Sequence, residues 1–476
     1  MDRRAFIKTT AAGAFSLAAG SAIAGNERKA PNIILIMADD LGYGELGCYG
    51  QEKIKTPNLD QLAKEGMRFT QFYAGQAVCA PSRCVLMTGK HTGHAYIRTN
   101  KEIQPEGQEP IPEDSWTIAK MLKEKGYRTA AIGKWGLGFI DSSGAPDKQG
   151  FDLFFGYNCQ RHAHNYYPRY LWRNHEKVDL PGNDRGLTGR HYAPDLMIEE
   201  ALGFIRENQD QPFFLYYPTT VPHLALQVPE DSLEEYKGKW DDPPYDGKQG
   251  YLPHPHPKAA YAAMITRMDR DIGRMLELLK ELNLEEDTLV IFTSDNGSTY
   301  LRGPDTYFFE SNKPLRARKG SLYEGGIRVP LIARWKGKIE PGSVSEHICA
   351  SWDLMSTFAE LTGSRAAEDT DGISIAPTLL GEEEQKEHEF LYWEFPSYGG
   401  QQALRMGDWK AVRQDLMKRE GDQSIQLYNL KEDIGETKNV ADQHPEIVQM
   451  MREIMKREHE PSEVFPFPAL DKETES

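Results

Sequence analysis

The chain has 476 residues, 39% apolar and 27% charged, enough for one large domain and a smaller one whose cores need no covalent staple. A formal charge of −16 argues against nonspecific binding to nucleic acid or an anionic membrane, so an anionic ligand needs a local basic pocket. Cys48, Cys79, Cys84, Cys159 and Cys349 are too scattered for a disulfide framework or a C-x-x-C metal pair, although one disulfide stays open.

Residues 1–24 read as an export signal. Arg3-Arg4-Ala5-Phe6-Ile7-Lys8 leads into a small-residue apolar run from Thr9 to Ala24. That is the pattern of a twin-arginine signal cleaved after Ala24. The run is rich in Ala, Gly and Ser, which makes an uncleaved anchor the weaker reading. The expectation is export by the twin-arginine machinery to the periplasm or the cell exterior, with no stable membrane insertion afterwards.

Short apolar runs then alternate with helical periodicity, which indicates βαβ units. Strands are expected at Ile33–Met37, Tyr127–Ile132, Phe213–Tyr217, Leu289–Thr293 and Val329–Ala333. Helices are expected at Leu59–Glu65, Trp116–Lys125, Leu196–Asn208 and Trp352–Leu361. Tyr261, Ile265, Met268, Ile272, Met275 and Leu279 mark one face of a long helix. After about Gly381 the texture changes to short strands at Leu391–Trp393, Ala403–Met406, Trp409–Arg413 and Ile425–Tyr428. Gly407-Asp408 reads as a hairpin turn, Glu446–His459 as a last helix, and the tail after Pro468 as frayed. The expected fold is α/β, a large, mostly parallel mixed sheet sandwiched by helices over residues 25–381. A smaller C-terminal antiparallel sheet plus helix subdomain follows over 382–476.

Cys79-Ala80-Pro81-Ser82-Arg83 opens a further helix. Pro presets φ and Ser caps well, so residue 79 is expected just ahead of a helix N-terminus that favours an anion. Arg83 adds a positive fork, and Ala74, Gly75 and Ala77 allow close approach. Alone, the pentapeptide reads equally as a buried core cysteine.

The polar residues of interest sit where strands end. Asp39-Asp40 follow the first strand and Lys134 the second; His223 lies past Tyr217, and Asp295-Asn296 follow Leu289–Thr293. Parallel sheets bind ligands at the carboxyl ends of their strands, so these segments are expected in one crevice. Three carboxylates and an amide suit Ca²⁺ or Mg²⁺. Singly, they also read as loop-capping Asp residues and an Asn-Gly turn. Lys134 and Lys319 are flanked by glycine, which permits close approach to a ligand, and each alone also reads as a solvated charge.

The longer run Cys79-Ala80-Pro81-Ser82-Arg83-Cys84-Val85-Leu86-Met87-Thr88-Gly89 resembles the signature of formylglycine-dependent sulfatases, in which the cysteine is oxidised to an aldehyde. Gly133-Lys134-Trp135, Pro222-His223, Ser294-Asp295-Asn296-Gly297 and Lys319-Gly320-Ser321 through Arg328-Val329-Pro330 extend the match. Nearly the whole mature chain is similar to S1-type sulfatases of the alkaline phosphatase superfamily, in particular to bacterial carbohydrate sulfatases. The resemblance implies one Ca²⁺ held by Asp39, Asp40, Asp295, Asn296 and residue 79. It implies that Arg83 and Lys134 hold residue 79, and that His223 and Lys319 face the sulfate ester. A maturation enzyme would convert Cys79 to formylglycine (3-oxoalanine). One hydroxyl of the hydrated aldehyde would attack sulfur, and the other would later expel sulfate. Ca²⁺, Lys134 and Lys319 would stabilise the sulfuryl oxygens, and His223 would protonate the leaving sugar oxygen.

The family commonly has histidine in Lys-Trp-His-Leu-Gly, where this chain has Lys134-Trp135-Gly136-Leu137-Gly138. His94 is the candidate replacement base; the alternative is a substrate-binding or surface histidine. Residues 158–173 are dense in aromatics, arginine and histidine, which suits a sulfated saccharide, with Arg161 and His164 as candidate contacts. Plain packing on the sheet is the other reading of this stretch, and a metal pair of His162 and His164 a third. Trp393 and Arg405 are expected to close the same pocket from the small subdomain. Two further activities stay open: a formylglycine-dependent phosphodiesterase or phosphonate monoester hydrolase, and a catalytically impaired sulfated-glycan-binding protein.

Overall fold

Ile33, Leu35 and Met37 enter one hydrophobic core, while Ile34, Ile36 and Ala38 of the same strand enter another. Successive strand side chains alternate between faces, so this strand must lie in a sheet covered on both sides. The computed structural model describes residues 30–300, 303–418 and 423–474. The twin-arginine segment lies outside them.

The large sheet has ten strands. In chain order they are β1 (Asn32–Asp39), β2 (Met67–Phe69), β3 (Arg128–Lys134), β4 (Leu153–Tyr157), β5 (Tyr170–Arg173), β6 (Glu176–Asp179), β7 (Phe213–Pro222), β8 (Thr288–Ser294), β9 (Leu331–Arg334) and β10 (Ser343–Ser345). Their spatial order is β10-β2-β9-β8-β1-β7-β3-β4-β5-β6. The central run β8-β1-β7-β3-β4 is parallel throughout, and antiparallel pairs flank it. Helices α1 (Pro57–Glu65), α2 (Cys79–Thr88), α3 (Ile118–Glu124), α4 (Gln160–Ala163), α5 (Ala193–Glu207), α6 (Pro257–Glu281) and α7 (Asp353–Thr362) accompany it. The apolar residues of α2, α3 and α7 fill the core on one face, and those of α1, α5 and α6 the core on the other. The expected strands and helices are all present, with ends shifted by a few residues.

A second, antiparallel sheet contains β11 (Leu391–Phe395), β12 (Gln401–Met406), β13 (Trp409–Arg413) and β14 (Gln426–Asn429), with the Gly407-Asp408 turn between β12 and β13. One face of it packs on α8 (Pro445–Arg457) through Tyr392, Leu404, Met451 and Met455. The other face, with Trp393, Phe395 and Ala403, joins the main core. The tail does not fray. It forms α9 (Pro468–Thr474), anchored by Phe467 and Leu470 on Leu416 and by a 2.7 Å ion pair between Glu473 and Arg413. All five cysteines are free, and among the described residues no helix is long and apolar enough to cross a membrane.

Two glycines bring Lys134 to the crevice. Gly133 of β3 pairs with Gly156 of β4, and both have positive φ. A Cβ at Gly133 would lie 2.0 Å from the Pro218 carbonyl oxygen, and one at Gly156 would lie 1.9 Å from that of Gly133. Only glycine allows three backbones to approach so closely. Gly156→Ala is expected to destabilise the fold by about 1–3 kcal/mol through overpacking, read as a lowered urea midpoint. His459 ties α8, β11 and α9 together, with Nδ1 2.7 Å from Glu394 and Nε2 3.0 Å from Asp471. Burial opposes charge on this ring, but the Glu394 and Asp471 carboxylates outweigh it and raise the pKa. A raised folded pKa gives stability that is complete below the unfolded value of about 6.5 and is lost as pH rises through the folded value. The Tm of the wild type is therefore expected to fall more between pH 6 and pH 8 than that of His459→Gln.

Candidate active site

Cys79 is the first residue of α2 rather than the residue ahead of it, and Val78 caps the helix without a side-chain bond. Asn100 supplies the cap from a distance, its Oδ1 accepting from the Ala80 N–H at 3.0 Å. Gly75 serves packing rather than ligand approach, since a Cβ there would meet Val85 at 2.5 Å.

Around Cys79 the strand ends deliver alternating charges. The Cys79 thiol lies 3.3 Å from Asp39 Oδ1 and 3.5 Å from Lys319 Nζ. Lys134 donates to Asp39 Oδ2 at 2.6 Å, and Lys319 to both oxygens of Asp40 at 2.6 and 2.8 Å. Arg83 donates to Asp295 Oδ2 at 2.7 Å and to the Lys134 carbonyl. Asp295 Oδ1 accepts from the Asp40 N–H at 3.1 Å, and Asn296 Nδ2 donates to Asp40 Oδ1 at 2.8 Å. Asp40 itself adopts φ +66°, a strained setting for a side-chain-bearing residue of the kind that clusters at functional sites. All these side chains are buried except Lys319, whose side chain keeps 9% exposure.

Burial and the Asp39 charge push the Cys79 thiol up to about 12, so an unmodified Cys79 is a poor nucleophile. Burial works against the charged forms of Lys134 and Lys319, but Asp39 and Asp40 hold both above the ordinary lysine value. Burial and the neighbouring Asp39 raise Asp295. His223 places Nε2 3.6 Å from Asp40, while its Nδ1 is 2.6 Å from the Leu224 carbonyl. Nδ1 therefore carries the proton of the neutral ring. Burial, then Lys319 and Lys134, pull His223 well below the usual histidine range.

The donor set fits a hard divalent cation. Asp39, Asp40 and Asp295 present carboxylate oxygens, and Asn296 Oδ1 is buried with no hydrogen-bond partner among the described residues. An orphaned acceptor beside carboxylates is what a Ca²⁺ or Mg²⁺ ion satisfies.

The structure brings Cys79, Arg83, Lys134, His223, Lys319, Asp39, Asp40, Asp295, Asn296 and His164 together. The His164 ring stacks on His223 at 4.6 Å and 7°, with Tyr251 edge-on to both. Other expectations are corrected. His94 lies past the far end of α2, a ten-residue helix roughly 15 Å long. It is bound to Asp371 at 2.9 Å and packed on the His91 ring, so it is not placed to serve as base at residue 79. Arg161 is exposed and paired with Glu102 at 2.9 Å. His162 lies 3.3 Å from Glu106, away from any pairing with His164. Trp393 is fully buried, its Nε1 donating to the Ala74 carbonyl at 3.1 Å. Arg405 is buried against Tyr73, Gln71 and the Gly407 carbonyl. Both sit on a sheet whose two faces are covered by protein; Trp393 is enclosed in the core, and Arg405 borders a separate cleft with His347, His388 and Phe390, so neither closes the crevice at Cys79.

Sequence reasoning missed the rings at the rim. Tyr398, in the β11–β12 turn, is 54% exposed and lies over Gly320, where a Cβ would sit 3.1 Å from its ring. Tyr300, 44% exposed, meets it edge-on at 6.2 Å. The available signal was an aromatic residue in the turn Pro396-Ser397-Tyr398-Gly399-Gly400.

Comparison with known proteins agrees with this geometry. The family model "Sulfatase" matches residues 31–364, and the model "N-sulphoglucosamine sulphohydrolase, C-terminal" matches residues 318–461. Human arylsulfatase A is 33% identical over 491 residues, covering 92% of this chain and 89% of that protein. Human N-acetylgalactosamine-6-sulfatase is 33% identical over 370 residues, covering 74% and 66%. The crystal structure of Ps i-CgsB in complex with k-i-k-neocarrahexaose is 31% identical with a TM-score of 0.77, covering 90% of this chain and 93% of that one. The chain belongs to the sulfatase family and is a sulfuric ester hydrolase of alkaline phosphatase-like fold.

Proposed function

We propose that this protein removes sulfate from a sulfated saccharide, using formylglycine made from Cys79 by a maturation enzyme and one bound Ca²⁺. The observation that carries the reading is the buried meeting of Cys79 with Asp39, Lys134 and Lys319. The half-exposed Tyr300 and Tyr398 support a sugar, because aromatic faces stack on apolar sugar faces. So does the hexaose bound by Ps i-CgsB. Export through the Arg3-Arg4 segment to the periplasm or exterior is part of the proposal.

In this reading, hydrated formylglycine would supply a hydroxyl nucleophile, and the divalent ion would supply positive charge at the sulfuryl oxygens. Asp39, Asp40, Asp295 and the Asn296 carbonyl would hold that ion. Lys134, fully buried, and Lys319, 9% exposed, flank residue 79 with fixed positive charge for the same oxygens. Arg83 is a positioning residue. It ties Asp295 to the end of β3 and so fixes two strand ends against each other. His223 turns Nε2 into the crevice, where it donates a proton to the departing sugar oxygen as the S–O bond breaks. Its proton affinity is low in the free protein, and a bound sulfate anion beside it raises that affinity.

Protein whose residue-79 mass shows conversion is expected to release sulfate from 4- or 6-sulfated galactose or N-acetylgalactosamine. His223→Ala is expected to lower kcat about 10²- to 10⁴-fold, and Lys319→Ala about 10²- to 10³-fold. Faster turnover of phosphodiesters than of every sulfate ester would overturn the assignment. Ca²⁺ is expected to raise Tm, by a stabilisation of about 2.7 kcal/mol at a hundred times its Kd. Asn296→Leu also removes the Nδ2 bond to Asp40, so it is expected to lower the Tm of the calcium-free protein and, separately, to diminish the rise in Tm on adding Ca²⁺, as thermal scans with and without EDTA would show.

A further inference from the structure

Gly136 replaces the common family histidine, and a second residue takes up the space. β3 and β4 run parallel, with the Trp135 N–H bonded to the Tyr157 carbonyl and the Gly136 N–H to the Asn158 carbonyl, both at 2.9 Å. Gly136 therefore lies beside the start of α4. Its φ of +82° disfavours any side chain, and a Cβ there would lie 2.4 Å from Gln160 Nε2 and 3.0 Å from Oε1. The Gln160 amide fills the place where a side chain from position 136 would begin.

That amide has no work to do in the free protein. Gln160 is 7% exposed, and neither its Nε2 nor its Oε1 has a hydrogen-bond partner among the described residues. Buried donors and acceptors are nearly always paired, and leaving both atoms of one amide unpaired costs stability. His164, the residue that ends the short turn α4, stacks on His223 in the crevice. The contact with Gly136, two residues beyond Lys134, sets the Gln160 amide beside the end of β3, at the other end of the same short turn as His164.

We infer that Gln160 is a specificity-determining residue whose amide binds a sugar hydroxyl neighbouring the sulfate ester. The inference rests on the saccharide sulfatase reading. A carboxamide offers one donor and one acceptor side by side, and a hydroxyl both accepts and donates, so one contact pairs both orphaned atoms. An amide takes no proton at neutral pH, so Gln160 stands in the place of the histidine without its chemistry. A sulfated sugar carries such a hydroxyl beside its sulfate; 4-nitrophenyl sulfate carries none.

The test compares wild type, Gln160→Met and Gln160→Glu on galactose 6-sulfate, galactose 4-sulfate and 4-nitrophenyl sulfate, with Tm measured on the substrate-free protein. Methionine matches the volume of glutamine without its polar atoms, so Q160M is expected to keep or raise Tm. Its kcat/KM is expected to fall about 10- to 100-fold further on the better sugar sulfate than on the aryl sulfate, the range for an unpaired hydrogen-bonding group. Q160E keeps the size and the acceptors but loses the donor, so it is expected to show the same selective loss and to decide the matter should Q160M fail to fold. Equal losses on sugar and aryl esters, no loss, or a lowered Tm without selectivity would each overturn the assignment while leaving the sulfatase reading standing. Wild-type protein that cleaves the aryl sulfate and no sugar sulfate would sink the saccharide reading and this inference together.

Discussion

The structure depends on holding three carboxylates and three cations in charge balance with almost none of their surface open to water. Asp39, Asp40 and Asp295 meet Lys134, Lys319 and Arg83 within one buried cluster. Bringing such groups out of water costs several kcal/mol per ion, repaid only by tight pairing and further hydrogen bonds. Here each carboxylate has a cation at hydrogen-bond distance, and the bonds of Asn296 and the Asp40 backbone add to it. Removing any member leaves an uncompensated charge in the interior. The cluster is therefore stable only with every strand end in place.

The sheet exists in a form that meets this demand. β1 lies between β7 and β8, β3 follows β7, and all run the same way, so their carboxyl ends open on one crevice. Gly133 and Gly156 let β3 and β4 close in, which carries Lys134 inward and sets Gly136 against α4. The second sheet is not an appendage. Its inner face belongs to the main core, and its β11–β12 turn carries Tyr398 to the rim beside Lys319. Trp393 and Arg405 lock that face to the rest of the chain, so their contribution to the crevice is to hold the turn that reaches it.

The charge cluster was legible because its members follow apolar runs whose period and order place them at strand ends. Asp39-Asp40, Lys134 and Asp295-Asn296 each come directly after, or end, such a run, and the parallel topology does the rest. The Cys79 signature and Lys319 were legible through resemblance. What failed were side chains on loops and on the second sheet. His94 and His164 look alike in sequence, each in a polar segment after a regular element, yet one is drawn to Asp371 and the other onto His223. Trp393 and Arg405 alternate as strand residues should, but alternation does not tell which face meets a ligand when protein covers both.

The sequence by itself determined the strands, the helices on both sides of the sheet, the acidic and basic residues of the site and the family to which the chain belongs. Local periodicity and short motifs suffice for these, because each depends on neighbours within a few residues. Only the tertiary structure decided that Gln160 takes the space beside Gly136, that Tyr300 and Tyr398 line the rim, and that Asn296 keeps an unpaired oxygen. Those contacts join segments tens to hundreds of residues apart. Their geometry is fixed by packing and backbone approach, which leave no periodic trace along the chain.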